Sequence, residues 1–391
     1  MTRIRALRAV AALLAFASAA CSAPLSRALL RADLREVRVE RSATAASSFG
    51  LDAPGLVHVH TRLSHDSPAP LEELVSAARA AGVRWVCLTD HTNPETGHAL
   101  PRGEVGGVLL VPGEEISLWS GALLALGADR SIERGDKKYP GVVGRVREAG
   151  GVPVYGHITH FHGTPPAIVD GIAVYDLSDD FRGTPVLRMP AALACVSSGD
   201  PEKSAEGYLL FVQTGQRDHR AIWDAFLARG PCAGVAETNA HAKFRYLGRT
   251  FDPFEGLVGL VRNHALVPGV DEASVLEAVR RGRLHVGFDA AADSSGARFE
   301  AFRGGRPVAC GGDALPFDPA LSLAVHLPLP ARVRVLRDGV PWREGEGRVL
   351  QFPVDGPGVY RAEADLVVGG EGRPWVLFNP VRVLPAGEAA R

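Results

Sequence analysis

The sequence predicts an α/β fold, with a helix-covered sheet of parallel strands, followed by a small antiparallel β-sandwich. Apolar strands alternate with amphipathic helices over residues 55–292, and polar residues recur where those strands end. Over residues 293–391 the pattern changes to period-two alternation broken by turn pairs. Strand and helix alternation favours a barrel or a doubly wound layer. At 391 residues and 46% hydrophobic composition, the chain has enough apolar side chains for both parts.

The first 21 residues have the layout of an export signal. Arginines precede an apolar run of about a dozen residues that ends in small side chains. This run is shorter than an ordinary transmembrane helix. Its last four residues, SAAC, resemble a bacterial lipobox with Cys21 as the acylated residue. We therefore expect an exported bacterial protein, either periplasmic or a membrane-anchored lipoprotein with a lipid anchor at Cys21.

Charge and cysteine usage narrow the class of partner. The 43 lysines and arginines nearly cancel the 44 aspartates and glutamates, which argues against nucleic acid and favours a small-molecule substrate. The oligomeric state stays unknown.

Four widely spaced cysteines follow the signal, so we expect at most one disulfide. Residues 22–54 have no sustained apolar period and are predicted to be a linker.

The predicted elements follow one another in a regular order from residue 55. The strands are GLVHVH, VRWVCLTDH, GVLLVPGEE, VPVYGHITH, GIAVYD, AGVAETNAH and RLHVGFD. The helices are SPAPLEELVSAARAAG, YPGVVGRVREAGG, AIWDAFLARG and DEASVLEAVRRG. The first helix shows the logic, because Leu71, Leu74 and Ala78 share one face and Gly82 ends it. LSLAVHL, ARVRVLRDG and GVYRAEADLVV then read as sandwich strands.

Candidate metal ligands lie at the carboxyl ends of these strands, where the loops of α/β barrels assemble active sites. In HVHTRLSHDS, His58 and His60 are two residues apart on a strand, so their side chains project to one face. Two polar rings on a buried face need a partner such as a metal. Other polar residues at strand ends are Asp66, Asp90, His91, Glu115, His157, Asn239 and His241. Isolated histidines such as His264 and His285 are expected to be structural.

Taken in order, HVHTRLSHDS, LTDH, VPGEEIS, VYGHITH and ETNAH resemble the successive motifs of the PHP (polymerase and histidinol phosphatase) superfamily of metal-dependent hydrolases. SHDSP and the closing RPWVLFNPVRV are similar to the branch that contains carbamate hydrolases. The resemblance implies a distorted (β/α)7 barrel of PHP type over residues 55–292, with an Ig-like sandwich over 293–391. The metal ligands that it implies are His58, His60, Asp66, His91, Glu115, His157, Asn239 and His241. Glu115 would bridge two ions, and Asp66 is preferred to His65 as a ligand.

Two positions depart from the family pattern. Asn239 stands where the family usually has an aspartate, and Ala122 where it tends to have a histidine. We therefore expect one or two divalent ions per chain, with His160 or His162 as local replacements. A mixed histidine and carboxylate set suits zinc first, with manganese and iron as alternatives.

The function predicted from this set is hydrolysis by metal-activated water. His65 and Asp90 are candidate proton carriers in catalysis. Lys243, Arg245 and Arg62 are candidates to bind the substrate's phosphate. A phosphoesterase acting on a small molecule is the first hypothesis. A carbamate, ester or amide hydrolase and a metal-stabilised, non-catalytic binding protein are the alternatives.

A carbamate, ester or amide hydrolase would need a more apolar substrate pocket than a phosphoesterase would. The region from Thr184 to Gln213 offers Met189, Leu193 and Phe211 to line one. Core packing would explain the same side chains, so the sequence leaves this choice open.

Overall fold

The structure is a computed structural model that describes residues 27–91, 101–118, 121–132, 139–158, 169–186, 188–212, 219–246 and 249–388. The predicted export signal, Cys21, His160 and His162 lie outside the described residues. In the described part, no helix is long and apolar enough to cross a membrane. Cys87, Cys195, Cys232 and Cys310 are all described and all are free thiols.

Helices and strands alternate through the first two thirds of the chain, and strands dominate the last third. The α-helices are α1 (27–40), α2 (Leu71–Ala80), α3 (Tyr139–Glu148), α4 (Leu177–Gly183), α5 (Met189–Val196), α6 (Pro201–Gly207), α7 (His219–Leu227) and α8 (Glu272–Arg281). A π-helical turn (Tyr208–Val212) extends α6, and a 3-10 turn covers Phe254–Gly256.

The strands of the first part are β1 (Leu51–Val59), β2 (Trp85–Leu88), β3 (Gly103–Val105), β4 (Val108–Val111), β5 (Gly113–Leu118), β6 (Gly121–Leu126), β7 (Val152–Gly156), β8 (Gly171–Asp176), β9 (Ala233–Ala240), β10 (Arg245–Tyr246), β11 (Arg249–Thr250), β12 (Arg262–Val267) and β13 (Leu284–Gly287). Those of the last part are β14 (Arg298–Arg303), β15 (Arg306–Cys310), β16 (Ala314–Pro316), β17 (Leu321–Arg337), β18 (Val340–Pro353), β19 (Gly358–Val368), β20 (Glu371–Phe378) and β21 (Val381–Leu384).

Strand pairing in the first part runs in a closed circuit. β1 pairs in parallel with both β2 and β9, and the pairs β2–β4, β7–β8 and β8–β9 are also parallel. β4 leads through Pro112 into β5, and the antiparallel pairs β5–β6 and β6–β7 complete the circuit. The predicted mixed α/β class is confirmed. The expectation of a parallel sheet is wrong at β6, which is antiparallel to both neighbours. Only two residues separate β5 from β6, too few for a crossover helix.

Two apolar clusters hold this part together. One takes buried side chains from β1, β2, β4, β6, β7, β9 and α8. Since these strands come from all around the circuit, the cluster fills its inside, and α8 covers one end. The second cluster packs the helices, α1 to α7 among them, against the outer faces of the strands.

The last part is a largely antiparallel β-region that joins the first part through one continuous sheet. β14, β15, β17, β18, β19, β20 and β21 pair with one another in antiparallel fashion. β12 pairs with β1, β13 with β12, and β20 with β13. The buried side chain of Asn379 also bonds the backbone of Gly234 in β9 and Leu284 in β13. The region beyond residue 293 therefore supports the strand that carries Asn239.

Part of the predicted linker is folded. Residues 27–40 form α1, where Leu30 and Leu34 are buried and Val37 packs beside them. Their spacing of four and three residues is a helical stripe that the sequence analysis overlooked. Arg31 of α1 also forms an ion pair with Glu206 of α6. Residues 27–40 are therefore an outer helix of the fold.

Candidate metal centre

The end of β1 brings His58 and His60 together through an irregular backbone. His58 has φ of 68°, and the pairing of β1 with both neighbours shifts register between Val57 and Val59. Val57 and Val59 consequently pack into different apolar clusters, although a regular strand would place them on one face. The two imidazole centroids lie 5.1 Å apart. The rings converge as predicted, but a bulge rather than simple alternation aims them.

Glu115, near the start of β5, is the centre of the arrangement. Its Oε2 lies 3.0 Å from His58 Nε2, 3.2 Å from His60 Nε2 and 3.3 Å from His91 Nε2. Its Oε1 lies 3.3 Å from His157 Nε2. Four imidazoles from β1 and from the ends of β2 and β7 thus direct one nitrogen each at a single buried carboxylate.

Asp66 and His241 complete one side of this group. Asp66 Oδ2 lies 2.8 Å from His241 Nε2, and the His241 ring stacks on His60 at 4.1 Å. Ser64 fixes the loop, because its hydroxyl donates to Asp66 Oδ1 at 2.7 Å and accepts from the His91 N–H at 3.1 Å. We call these residues, with Asn239, Glu237 and Asp176 described below, the Glu115 cluster.

Backbone strain concentrates at the same place. Among the described residues, five other than glycine have positive φ: His58, His157, Asn239, Ala242 and Asp338. Three of them are side chains of the cluster, and Ala242 follows His241. A positive φ is costly for any residue with a Cβ and persists only where surrounding contacts enforce it. The surrounding contacts therefore hold His58, His157 and Asn239 in conformations that they would not adopt in a regular strand.

Two buried carboxylates that the sequence analysis missed support the imidazoles from behind. Glu237 Oε1 lies 3.0 Å from His58 Nδ1, and its Oε2 accepts from the His157 N–H at 3.1 Å. Asp176 Oδ2 lies 3.3 Å from His157 Nδ1. Carboxylates on the far nitrogen of a histidine fix its ring orientation and its tautomer. The strand-end rule could have found both, since Asp176 ends GIAVYD and Glu237 precedes Asn239 by one strand period.

The pKa values of neighbouring imidazoles in the cluster are shifted in opposite directions. Burial disfavours the charged form of His58, but Glu237 and Glu115 outweigh it and raise its pKa to about 10. Burial and the nearby His241 and His58 lower the pKa of His60 to about 3. The surrounding imidazoles hold the pKa of Glu115 well below its usual range despite its burial. The carboxylate is therefore ionised, and the His60 imidazole is neutral near neutral pH.

The residues of the cluster fit a divalent metal. Among the described residues, His60 Nε2 and Asn239 Oδ1 are buried without a hydrogen-bond partner, which is costly unless another group binds them. Three sets in the cluster offer one ligand atom per residue within 4.8 Å of one another: His58, Glu115 and His157; His60, Asp66 and His91; and, behind the imidazoles, His157, Asp176 and Glu237. Imidazole and carboxylate ligands suit zinc, manganese or iron.

Of the two positions that depart from the family pattern and the two candidate proton carriers, the structure places only Asn239 in the cluster. Asn239 lies in the cluster, where its Nδ2 donates to Asp176 Oδ2 at 3.3 Å. Ala122 is buried in β6 opposite Gly156. His65 is exposed, with its ring 4.9 Å from that of His91. Asp90 is not directed at the cluster: it accepts from the N–H and hydroxyl of Thr61, and burial raises its pKa to about 6.

The three candidate phosphate-binding cations are also separated. Lys243 lines the cavity in front of the cluster. Arg245 instead pairs with Glu73 at 3.0 Å, and Arg62 is exposed and lies outside the residues that line this cavity. The loop geometry after β9 explains the difference, because Arg245 enters the short strand β10 and turns toward α2. Arg182 of α4, which the sequence analysis did not consider, lines the cavity beside Lys243.

Two adjoining cavities open at the cluster. The polar cavity, about 360 Å³, is bordered by Asp66, His91, Glu115 and His157. The apolar cavity, about 530 Å³, lies between α4, α5 and the segment from β9 to the 3-10 turn. Asn239, His241, Lys243 and Arg182 border both. Of the predicted apolar lining, Met189 and Leu193 border the apolar cavity, whereas Phe211 packs against the main core.

A second group of histidines and carboxylates, the His264 cluster, joins the ends of β1, β12 and β13. His264 lies 3.0 Å from Asp52 through Nδ1 and 2.9 Å from Asp289 through Nε2. Its ring stacks on His285 at 4.5 Å. Arg262 donates to Asp289 at 2.7 Å. Asp293 forms ion pairs with Arg262 and with Arg41. His264 and His285 are hydrogen-bonded in this cluster, as a structural role requires.

Comparison with known proteins places the Glu115 cluster in a family context. Residues 57–131, which carry His58, His60, Asp66, His91 and Glu115, match the family model described as PHP domain. No curated protein matches the chain.

Two solved structures are weakly similar to the chain. A two-domain protein containing a predicted PHP-like metal-dependent phosphoesterase from Bacteroides vulgatus ATCC 8482 is 13% identical, over 87% of this chain and 98% of that chain, with a TM-score of 0.40. An engineered protein is 13% identical over 92% and 97% of the two chains, with a TM-score of 0.16. The functional conclusion therefore depends on the PHP match and on the residues of this chain.

Proposed function

We propose that the protein is a metal-dependent hydrolase whose reaction takes place at the Glu115 cluster, and that its substrate is a phosphoester. One observation carries the proposal: four imidazole nitrogens converge on Glu115 at the floor of an open cavity. A divalent metal bound there supplies a nucleophile from water at neutral pH and polarises the bond to be cleaved. Two ions, with zinc as the first choice, suit the ligand set that contains Glu115 and the set that contains Asp66.

The chain's own residues then have distinct tasks. Glu115 belongs to the ligand set of His58 and His157, and its Oε2 also lies 3.2 Å from His60 and 3.3 Å from His91 of the other set, so it joins the two. Glu237 and Asp176 hold the rings of His58 and His157 with Nε2 toward the cavity. His65, exposed beside His91, exchanges protons between the cavity and solvent. Asp90 positions the backbone after β1 through Thr61 rather than contacting substrate.

The cations at the cavity support a phosphoester. Lys243 and Arg182 border it from opposite segments of chain, β9 to β10 and α4. Either can donate to a phosphate oxygen, and a substrate with negative charge would be oriented with its phosphorus toward Glu115.

A carbamate or carboxylic ester hydrolase is the second candidate, because the positive charge at the cavity is modest. Arg182 is already paired with Asp179 at 3.0 Å, and two of the three cations expected from the sequence lie elsewhere. A neutral substrate would need Lys243 less than a phosphate would.

The decisive experiment measures metal and turnover on the same samples. Elemental mass spectrometry should find two ions per chain, and a chelator should abolish hydrolysis of phenyl phosphate, phenyl acetate or a phenyl carbamate. Lys243→Ala should raise KM about tenfold for phosphate alone if the phosphoesterase is correct. Arg245→Ala is the matched control and should change KM less than twofold. Bound metal with no turnover of any ester would favour the non-catalytic binding protein.

The wider setting is proposed on the sequence. We infer that the strand circuit is a (β/α)7 barrel of PHP type, that the last part is an Ig-like sandwich, and that the chain is exported with a lipid anchor at Cys21. The closing RPWVLFNPVRV supports the carbamate-hydrolase branch. Cell fractionation of the wild type beside Cys21→Ala tests the anchor: the variant should move from the membrane fraction to the soluble one.

A further inference from the structure

The apolar cavity beside the cluster has the size and position of a substrate pocket. Its volume, about 530 Å³, is within the usual range of about 300–1,000 Å³ for small-molecule sites. It shares Asn239, His241, Lys243 and Arg182 with the polar cavity, so one molecule could occupy both. A group seated there would be attached directly to the bond that the cluster cleaves.

The walls of this cavity are apolar and incompletely buried. Met189 and Leu193 of α5 and Phe181 of α4 are half-buried, and Phe244 is 59% exposed. These four side chains come from two separate segments and face the same space. Core residues of this fold, such as Trp223, are almost fully buried. Packing within the chain therefore does not account for the exposed apolar surface, and an apolar ligand would cover it.

We propose that the substrate carries an aromatic or branched aliphatic group which this cavity binds, while its hydrolysable head lies in the polar cavity. This inference rests on the proposed hydrolase. For a phosphoester, the oxygen of water forms the new bond to phosphorus, the bond from phosphorus to the alcohol oxygen breaks, and the apolar alcohol leaves with a proton from that water. Lys243 and Arg182, at the boundary of the two cavities, separate the charged head from the apolar group.

Two measurements on the zinc-loaded full chain test the inference. The first compares KM for phenyl and 1-naphthyl phosphate with that for methyl phosphate. Burial of an aromatic ring should give the aryl esters an advantage of roughly 10- to 100-fold in KM. The second compares binding of phenylphosphonate and methylphosphonate by calorimetry, which needs no turnover and should show the same ratio in Kd.

Substitutions in the wall locate the effect. Leu193→Asn keeps the size of the side chain and should remove most of the aryl preference while leaving methyl phosphonate binding within twofold. Ser178→Phe, which adds a ring to the cavity wall, should do the same by occupying the space. Leu350→Asn is the control, because Leu350 is equally half-buried but lies in β18. Thermal unfolding of each variant checks that it is folded.

The possible results separate this inference from the proposed function. Aryl-selective binding without turnover of any ester would support the cavity and overturn the hydrolase. Equal KM for aryl and methyl esters, with equal Kd for the two phosphonates, would overturn the cavity and leave the hydrolase standing. An aryl preference that persists in both Leu193→Asn and Ser178→Phe would show that the ring binds elsewhere, and would overturn the inference.

Discussion

The Glu115 cluster and the His264 cluster are built from the same kinds of side chain but are organised differently. At the His264 cluster each carboxylate is bonded to a backbone N–H as well as to side chains. Asp289 accepts hydrogen bonds from Arg262, His264 Nε2 and the Ser294 N–H. Asp52 accepts from His264 Nδ1 and the Gly296 N–H. At the Glu115 cluster four imidazoles share one carboxylate.

The two clusters also differ in whether their buried polar atoms have hydrogen-bond partners. His60 Nε2 and Asn239 Oδ1 are buried without a hydrogen bond among the described residues, whereas His264 uses both ring nitrogens. Proximity of histidine and carboxylate alone would count both clusters as metal sites. The His264 cluster also borders a cavity, of about 300 Å³. The unsatisfied buried atoms therefore distinguish the Glu115 cluster from a structural network, whereas an adjoining cavity alone does not.

The largest effect should come from Glu115→Gln. Loss of the central carboxylate should lower kcat/KM by about 1000-fold or more and reduce the metal content, because Glu115 belongs to one ligand set and contacts His60 and His91 of the other. Kinetics with phenyl phosphate and elemental analysis of the same preparation provide the measurement. Normal metal content in this variant would mean that Glu115 is not a ligand.

Asp289→Asn is the counterpart at the His264 cluster. Arg262 and His264 would lose the buried charge between them, so the free energy of unfolding should fall by about 3 to 5 kcal/mol. Urea unfolding measures this, and metal content should stay at the wild-type value. A loss of metal instead would make the His264 cluster a second metal site and remove the contrast.

The pH dependence of stability should come from the His264 cluster as well. Burial opposes the charge on His264, but Asp52 and Asp289 raise its pKa from 6.5 to about 9; Arg262 and the neutral His285 also face it. A raised pKa stabilises the fold fully below pH 6.5, and the stabilisation, about 3 kcal/mol, is lost as the pH rises through 9. The difference in unfolding free energy between wild type and His264→Gln should therefore shrink between pH 6 and pH 9.5. A difference that does not vary with pH would show that His264 is neutral in the fold.

The smallest effect concerns the carboxylates behind the imidazoles. Glu237→Gln keeps the shape of the side chain but weakens its hold on His58, so zinc affinity should fall by about 10- to 100-fold. Calorimetric titration of the metal-free protein measures it, with Asp52→Asn as the control at the other cluster. Equal affinity in wild type and Glu237→Gln would mean that Glu237 only fills space.

The sequence predicted the residues of the Glu115 cluster better than the way they meet. Strand-end position was enough to indicate Glu115, His157 and His241, because parallel strands end at one edge. The same rule did not exclude Asp90, since the direction of a carboxylate at a strand end depends on a partner such as Thr61. The bulge at His58 was not predictable, because its φ is imposed by pairing with β2 and β9.

Long-range contacts explain the remaining differences. Arg245 looked suitable for a phosphate by its distance from His241 in sequence, yet Glu73 in α2 binds it. Arg182 lies far from the motifs in sequence and reaches the cavity only through the packing of α4 against β9. The stripe in α1 was visible in the sequence, but its composition was taken for that of a linker.

The sheet that runs from β1 through β12 and β13 to β20 makes the two parts of the chain depend on each other. A chain cut near residue 293 would leave β13 with an unpaired edge and would leave the backbone around Gly234 without Asn379. The last part is thus no interchangeable appendage: the two parts should melt together, be expressed together, and be inherited together.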